Sequence, residues 1–123
     1  MSIDRHGSRF WINSIGVYHR NNNLPAIEYN NGGKRYYRNG LLSRGDDLPA
    51  VEETYVKEWF INGIRHRDND LPAVISEEAT SWYKNGKLHR DNGLPAIEYT
   101  NGIKAYFVNG IRVAPKKVLN ERA

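Results

Sequence analysis

One motif, laid down several times, limits what this chain can fold into. Residues 82–102 read WYKNGKLHRDNGLPAIEYTNG, and residues 59–75 repeat the pattern as WFINGIRHRDNDLPAVI. The same pattern fits more loosely over 10–32 and 36–52, and a truncated copy, YFVNGIR, opens at Tyr106. Anchored on the aromatic pairs Phe10-Trp11, Tyr36-Tyr37, Trp59-Phe60, Trp82-Tyr83 and Tyr106-Phe107, the steps are 26, 23, 23 and 24 residues. A sustained period of that length belongs to repeat architectures, in which each unit buries its apolar face against its neighbours. The units run 10–35, 36–58, 59–81, 82–105 and, truncated, 106–112. A lead-in at 1–9 is expected to add an edge strand, and a basic tail occupies 113–123.

The Asn-Gly pairs assign the secondary structure. Asn39-Gly40, Asn62-Gly63, Asn85-Gly86 and Asn109-Gly110 each separate short aromatic and β-branched segments. Both central residues of a type I′ turn need positive φ, which Asn-Gly tolerates best, so each pair is the tip of a two-residue β-hairpin. Asn31-Gly32 and Asn101-Gly102 turn the chain again between copies. The first copy carries Ser14 and Ile15 as two extra residues, which widen its turn. The expected fold is all-β, a single-layer antiparallel meander of stacked hairpins with about ten short strands. In the tail, Pro115 stands where a first-turn proline belongs and predicts about two helical turns.

Hairpin register then sorts side chains into faces. Around Asn62-Gly63, Ile61 pairs with Ile64, Phe60 with Arg65 and Trp59 with His66. Alternation places Trp59, Ile61, Ile64 and His66 on one face and Phe60 with Arg65 on the other. Repeats stack about 10 Å apart, two strand spacings, so equivalent residues form columns. The candidate binding column is Trp11, Tyr37, Phe60, Tyr83 and Phe107, with Arg65 and Arg112 among them. Aromatics with Arg are the usual material of binding hot spots, and an exposed apolar face of this kind binds a partner or another subunit.

The second motif is His-Arg-x-x-x-Leu-Pro-Ala. It is whole at His19-Arg20, His66-Arg67 and His89-Arg90, and the second copy keeps Arg44 with Ser43 in place of His. Its spacers NNN, GDD, DND and DNG hold residues that cap turns or accept left-handed backbone. Leu is expected to re-enter the core, Pro to start the returning strand, and Ala to let that strand approach its neighbour. Two readings attach to the Arg column. It ties down the loop through backbone carbonyls and through Glu28, Glu52 or Glu98 on the following strand, or it forms a ladder of cations for an anionic partner. Repetition favours the brace, because a brace is needed once per repeat. The His column invites zinc, but nitrogens about 10 Å apart cannot converge on one ion. No metal and no cofactor is expected.

Composition narrows the function. With 39% hydrophobic residues and a mean hydropathy of −0.74, much of the buried area must come from eight Tyr and three Trp. No cysteine is present, so disulfides and thiolate metal sites are excluded. The opening MSIDRHGSRF has no apolar signal core, and no run approaches the ~18–20 apolar residues of a membrane span. A cytoplasmic location is the expectation. The net charge of +4 is spread over 18 Lys and Arg interleaved with 14 acids, which lacks the clustering of a nucleic-acid footprint. Catalysis is not expected. Ser14 and Ser43 sit in no nucleophile elbow, and the adjacent pairs Glu52-Glu53 and Glu77-Glu78 point to opposite faces of their strands.

The unit W-Y-x-N-G-x-x-H-R-x-x-G-L-P-A, over residues 10–112, resembles the MORN-repeat superfamily, and within it the variant repeats ending in His-Arg…Pro-Ala. The usual Gly after His is Arg here. The resemblance implies an elongated, twisted sheet of hairpins with a scaffolding or interaction role. Variant repeats of this type are common in proteins of large DNA viruses, phages and some bacteria. It therefore also implies a viral or phage protein, working in the host cytoplasm, that blocks a host factor such as a bacterial defence component. Three function classes follow: a non-catalytic module that docks a protein partner, an anion binder for single-stranded nucleic acid or a phosphorylated small molecule, and a homo-oligomer joined through open edge strands.

Overall fold

The computed structural model describes residues 1–115. Each Asn-Gly tip adopts the left-handed backbone its chemistry allows, as at Asn39 (φ 50°) with Gly40 (φ 85°) and Asn62 (φ 48°) with Gly63 (φ 79°). The registers are those of the sequence reading, with Phe60 opposite Arg65, Ile61 opposite Ile64 and Tyr83 opposite Leu88. Along the chain, sheet strands alternate with hairpins. Strands β1 (Ser2–Ile3), β2 (Arg9–Phe10), β3 (Ile27–Glu28) and β4 (Lys34–Arg35) lie in the sheet, and β5 (Tyr37–Arg38) with β6 (Leu41–Leu42) forms a hairpin. Then β7 (Val51–Glu53) and β8 (Val56–Glu58) return to the sheet, followed by the hairpin of β9 (Phe60–Ile61) and β10 (Ile64–Arg65). Next come β11 (Val74–Ser76) and β12 (Ala79–Ser81), and the hairpin of β13 (Tyr83–Lys84) and β14 (Lys87–Leu88). Sheet strands β15 (Ile97–Tyr99) and β16 (Lys104–Ala105) precede the last hairpin, β17 (Phe107–Val108) with β18 (Ile111–Arg112).

The fold is thus an all-β open antiparallel meander. The described residues form eighteen strands where about ten were expected. The second, third and fourth repeats each supply two strands to a ten-stranded sheet and two more to a row of hairpins beside it. The first supplies β3 and β4 with a single Ile12–Tyr18 bridge in its hairpin, and the truncated fifth supplies a hairpin alone. Successive hairpins are joined by backbone bonds: the Gly40, Gly63, Gly86 and Gly110 N–H groups donate to the Tyr18, Leu42, Arg65 and Leu88 carbonyls of the hairpin before. The lead-in contributes two strands, β1 and β2, not one.

The seam between sheet and hairpins is built by Pro-Ala. Ala26, Ala50, Ala73 and Ala96 have no exposed surface, and each is held on both sides. Ala73 donates to the Ser81 carbonyl and accepts from Trp59 N–H, as Ala50 does with Glu58 and Tyr36. A methyl group is what the two flanking strands leave room for. The preceding Pro, which has no N–H to donate, lies just outside the sheet strand.

Three expectations are corrected. First, the leucines do not re-enter the core: Leu24, Leu48, Leu71 and Leu94 are 43%, 39%, 37% and 40% exposed. The residues just before them, such as Asn22-Asn23 and Asn69-Asp70, are both left-handed, and the Leu N–H closes the turn on Asn21 or Asp68. That places Leu at the turn exit and lets Pro and Ala take the interior. Second, the first repeat is offset by one residue. Trp11 N–H bonds the Ala26 carbonyl as Tyr36, Trp59 and Trp82 do to Ala50, Ala73 and Ala96. Phe10 therefore belongs to β2, the aligned pair is Trp11-Ile12, and the steps from Trp11 are 25, 23, 23 and 24. Third, the first turn is widened by one residue: Ile12 bridges Tyr18 around Asn13–Val17, with Gly16 N–H bonded to the Asn13 carbonyl. The helix anticipated in the tail falls on 116–123, outside the described residues.

Candidate functional site

Strand alternation gives the molecule two unlike faces. On one, register aligns Arg9, Glu28, Lys34, Glu52 and Lys57 in a row across neighbouring strands, with Glu98 opposite Lys104 further along. Alternating sign neutralises this face locally. The same face carries the motif arginines, and each sits on a ring. Arg20 lies 3.6 Å from the Trp11 ring centre, Arg44 3.7 Å from Tyr36, Arg67 3.9 Å from Trp59 and Arg90 3.8 Å from Trp82. Each guanidinium also donates at 3.1 Å to the carbonyl of its own loop proline, Pro25, Pro49, Pro72 or Pro95. Arg20, Arg44 and Arg90 reach Glu28, Glu52 and Glu98 at 3.4, 3.1 and 3.3 Å. Arg67 has no such partner because Ile75 takes the Glu position. A planar five-donor fork can stack and bond several acceptors at once, which ammonium cannot.

The brace also spans repeats, which the sequence reading missed. Arg67 clamps Asp47 of the preceding loop at 2.9 and 3.2 Å, and Arg90 clamps Asp70 at 2.9 and 3.3 Å. The Trp59 and Trp82 indoles donate to the Asp47 and Asp70 carbonyls at 3.0 Å. Tyr36 donates its hydroxyl to Glu52 at 2.9 Å. Burial, then that hydrogen bond, pushes the Tyr36 phenol up from 10.0 to about 12.

The His column is a clasp. His19, His66 and His89 accept through Nδ1 the N–H of Asn39, Asn85 and Asn109 in the next hairpin, at 3.0, 2.9 and 3.0 Å. The ring proton therefore sits on Nε2, which donates at 2.7 Å to Asn21, Asp68 or Asp91. The bond from His89 holds the Asp91 carboxyl below its usual range. Ser43 does the same work in the second copy, its Oγ accepting Asn62 N–H at 3.1 Å. Among the described residues no group of three or more His, Asp or Glu is placed to hold a metal, and no helix is long and apolar enough to cross a membrane.

The other face carries the candidate binding column. Tyr37, Phe60, Tyr83 and Phe107 hold equivalent places in successive hairpins, all half-buried. Arg65 lies between two of them, 4.9 Å from both the Phe60 and Tyr83 ring centres, and is bonded to Glu58. Arg112 stands opposite Phe107. Trp11 is the exception: its ring is under Arg20 on the braced face, and Ile12 takes its place in the column. Two aromatics outside the column expected from the sequence extend the patch. Tyr18 packs on Tyr37 at 5.1 Å, and Phe10 meets Tyr18 edge-on at 6.4 Å. The offset anchor concealed both.

Comparison with protein-family models, with curated proteins and with solved structures finds no match for the chain.

Proposed function

We propose that this protein is a non-catalytic interaction module that docks a protein partner on the face formed by Tyr37, Phe60, Arg65, Tyr83 and Phe107, extended by Tyr18 and Phe10. The carrying observation is the column of half-buried aromatics with a guanidinium sandwiched between Phe60 and Tyr83. Rings held at fixed spacing lose little entropy on binding, and a stacked Arg offers directed donors among them. The resemblance to MORN-variant repeats extends this reading to a viral or phage protein acting on a host factor, such as a bacterial defence component. The competing anion reading is weakened by charge placement. The four motif arginines are engaged by rings, carbonyls and carboxylates, and Lys34, Lys57 and Lys104 neighbour acids across the sheet.

The test is capture of partners from host lysate by tagged wild-type protein and by a Phe60→Ala/Tyr83→Ala variant, each with and without nuclease. One stoichiometric protein held by the wild type, surviving nuclease and lost from the folded variant, is the expected result. Equal capture by the folded variant removes this face from the reading. A catch that vanishes with nuclease, with steep loss between low and physiological salt, replaces it with nucleic-acid binding.

A further inference from the structure

The chain contains seven Asn-Gly pairs, the dipeptide most prone to cyclise, and the fold treats one of them differently. Cyclisation needs the glycine nitrogen as nucleophile, so a glycine N–H committed to a carbonyl is protected. Gly40, Gly63, Gly86 and Gly110 donate to the preceding hairpin at 2.7 or 2.8 Å. Gly32 and Gly102 donate to Tyr29 and Tyr99 across their own turns at 3.0 Å. Gly93 has no acceptor among the described residues. Its counterparts in the other loops, Asn23, Asp47 and Asp70, donate to none either, so an open N–H belongs to this turn position in every repeat. Only the fourth loop combines that open N–H with an Asn-Gly sequence. Asn92 and Gly93 are both exposed.

We infer that Asn92-Gly93 is the chain's site of spontaneous deamidation and isoaspartate formation. The Gly93 nitrogen gives its proton to solvent base and attacks Asn92 Cγ. The new N–Cγ bond forms as the Cγ–Nδ2 bond breaks, and ammonia leaves. Water then adds to one carbonyl of the succinimide and opens the ring to aspartate or isoaspartate. The sum is one water consumed and one ammonia released, with no change of oxidation state. The isoaspartate product inserts an extra carbon into the main chain of a turn closed by Leu94 N–H on the Asp91 carbonyl. That turn presents the Pro95 carbonyl to Arg90. Conversion therefore loosens the fourth brace and adds one negative charge beside Asp91.

The experiment incubates the folded protein at mildly alkaline pH and maps peptides by mass spectrometry over time. A parallel sample is unfolded in urea. Conversion at Asn92 several-fold faster than at any other Asn-Gly, with the difference shrinking in urea, is the expected result. An Asn92→Gly variant, which keeps the left-handed backbone, loses the leading signal. Conversion led by Asn39, Asn62, Asn85 or Asn109, equal rates at all seven, or a preference for Asn92 undiminished in urea overturns the inference.

Discussion

Arg44 and Arg67 occupy the same place in adjacent repeats, yet only Arg67 finds a carboxylate in the loop before it. The residue aligned with Asp47 and Asp70 is Asn23, and the buried Nε of Arg44 has no partner. Asn23→Asp should supply the missing clamp and raise stability by about 0.5–1.5 kcal/mol, checked by the urea midpoint. No gain would mean that the Asp side chains in the later loops contribute little beyond their backbone. Tyr36 makes a pH prediction. Below pH 10.0 the phenol is neutral in folded and unfolded chains alike, and its burial counts in full. Between 10.0 and about 12 only the unfolded chain ionises, so stability falls through that window. Denaturation followed across alkaline pH should show this fall, and Tyr36→Phe should flatten it.

At the scale of the hairpin, each element is held by the one before it. The turn glycine donates to its carbonyl, and the turn asparagine donates to its His or Ser. Ser43 and His66 differ in size and chemistry, but both present an acceptor to an asparagine N–H. His66→Ala should therefore cost about 1–2 kcal/mol and expose the Asn85 amide to exchange. His66→Ser should recover part of that cost and of the protection. Equal loss in both variants would show that the ring's packing matters more than its Nδ1. The sequence revealed that Ser43 stood in the His place, but the purpose of either residue depends on a donor about 20 positions away, which local pattern does not report.

At the scale of the molecule, contacts run between neighbours, so stability should be distributed like that of a linear array. The outer hairpins differ from the inner ones. The first has Gly16 N–H bonded within its own turn, and the last has Val113 and Ala114 where others carry His and Arg. Hydrogen exchange should therefore be slowest in β7, β8, β11 and β12 and fastest in the hairpins at 11–20 and 106–113. Uniform protection from end to end would mean the repeats unfold as one unit.

The period, the hairpin tips and the cross-strand registers were set by the sequence itself, because Asn-Gly between short aromatic and β-branched segments favours a two-residue turn and Pro has no N–H to give a ladder. The Arg brace was half legible: its proline carbonyl and glutamate could be read within its own repeat, its ring lies in the same repeat but meets the guanidinium only in the fold, and its Asp47 or Asp70 clamp depends on stacking. What only the tertiary structure decided was the division of each repeat between sheet and hairpin row, the offset that moves Trp11 to the braced face, and the exposure of the leucines. The first two turn on backbone bonds between segments far apart in the chain, and the third on a loop turn through two left-handed residues; a spacing along the chain carries neither geometry.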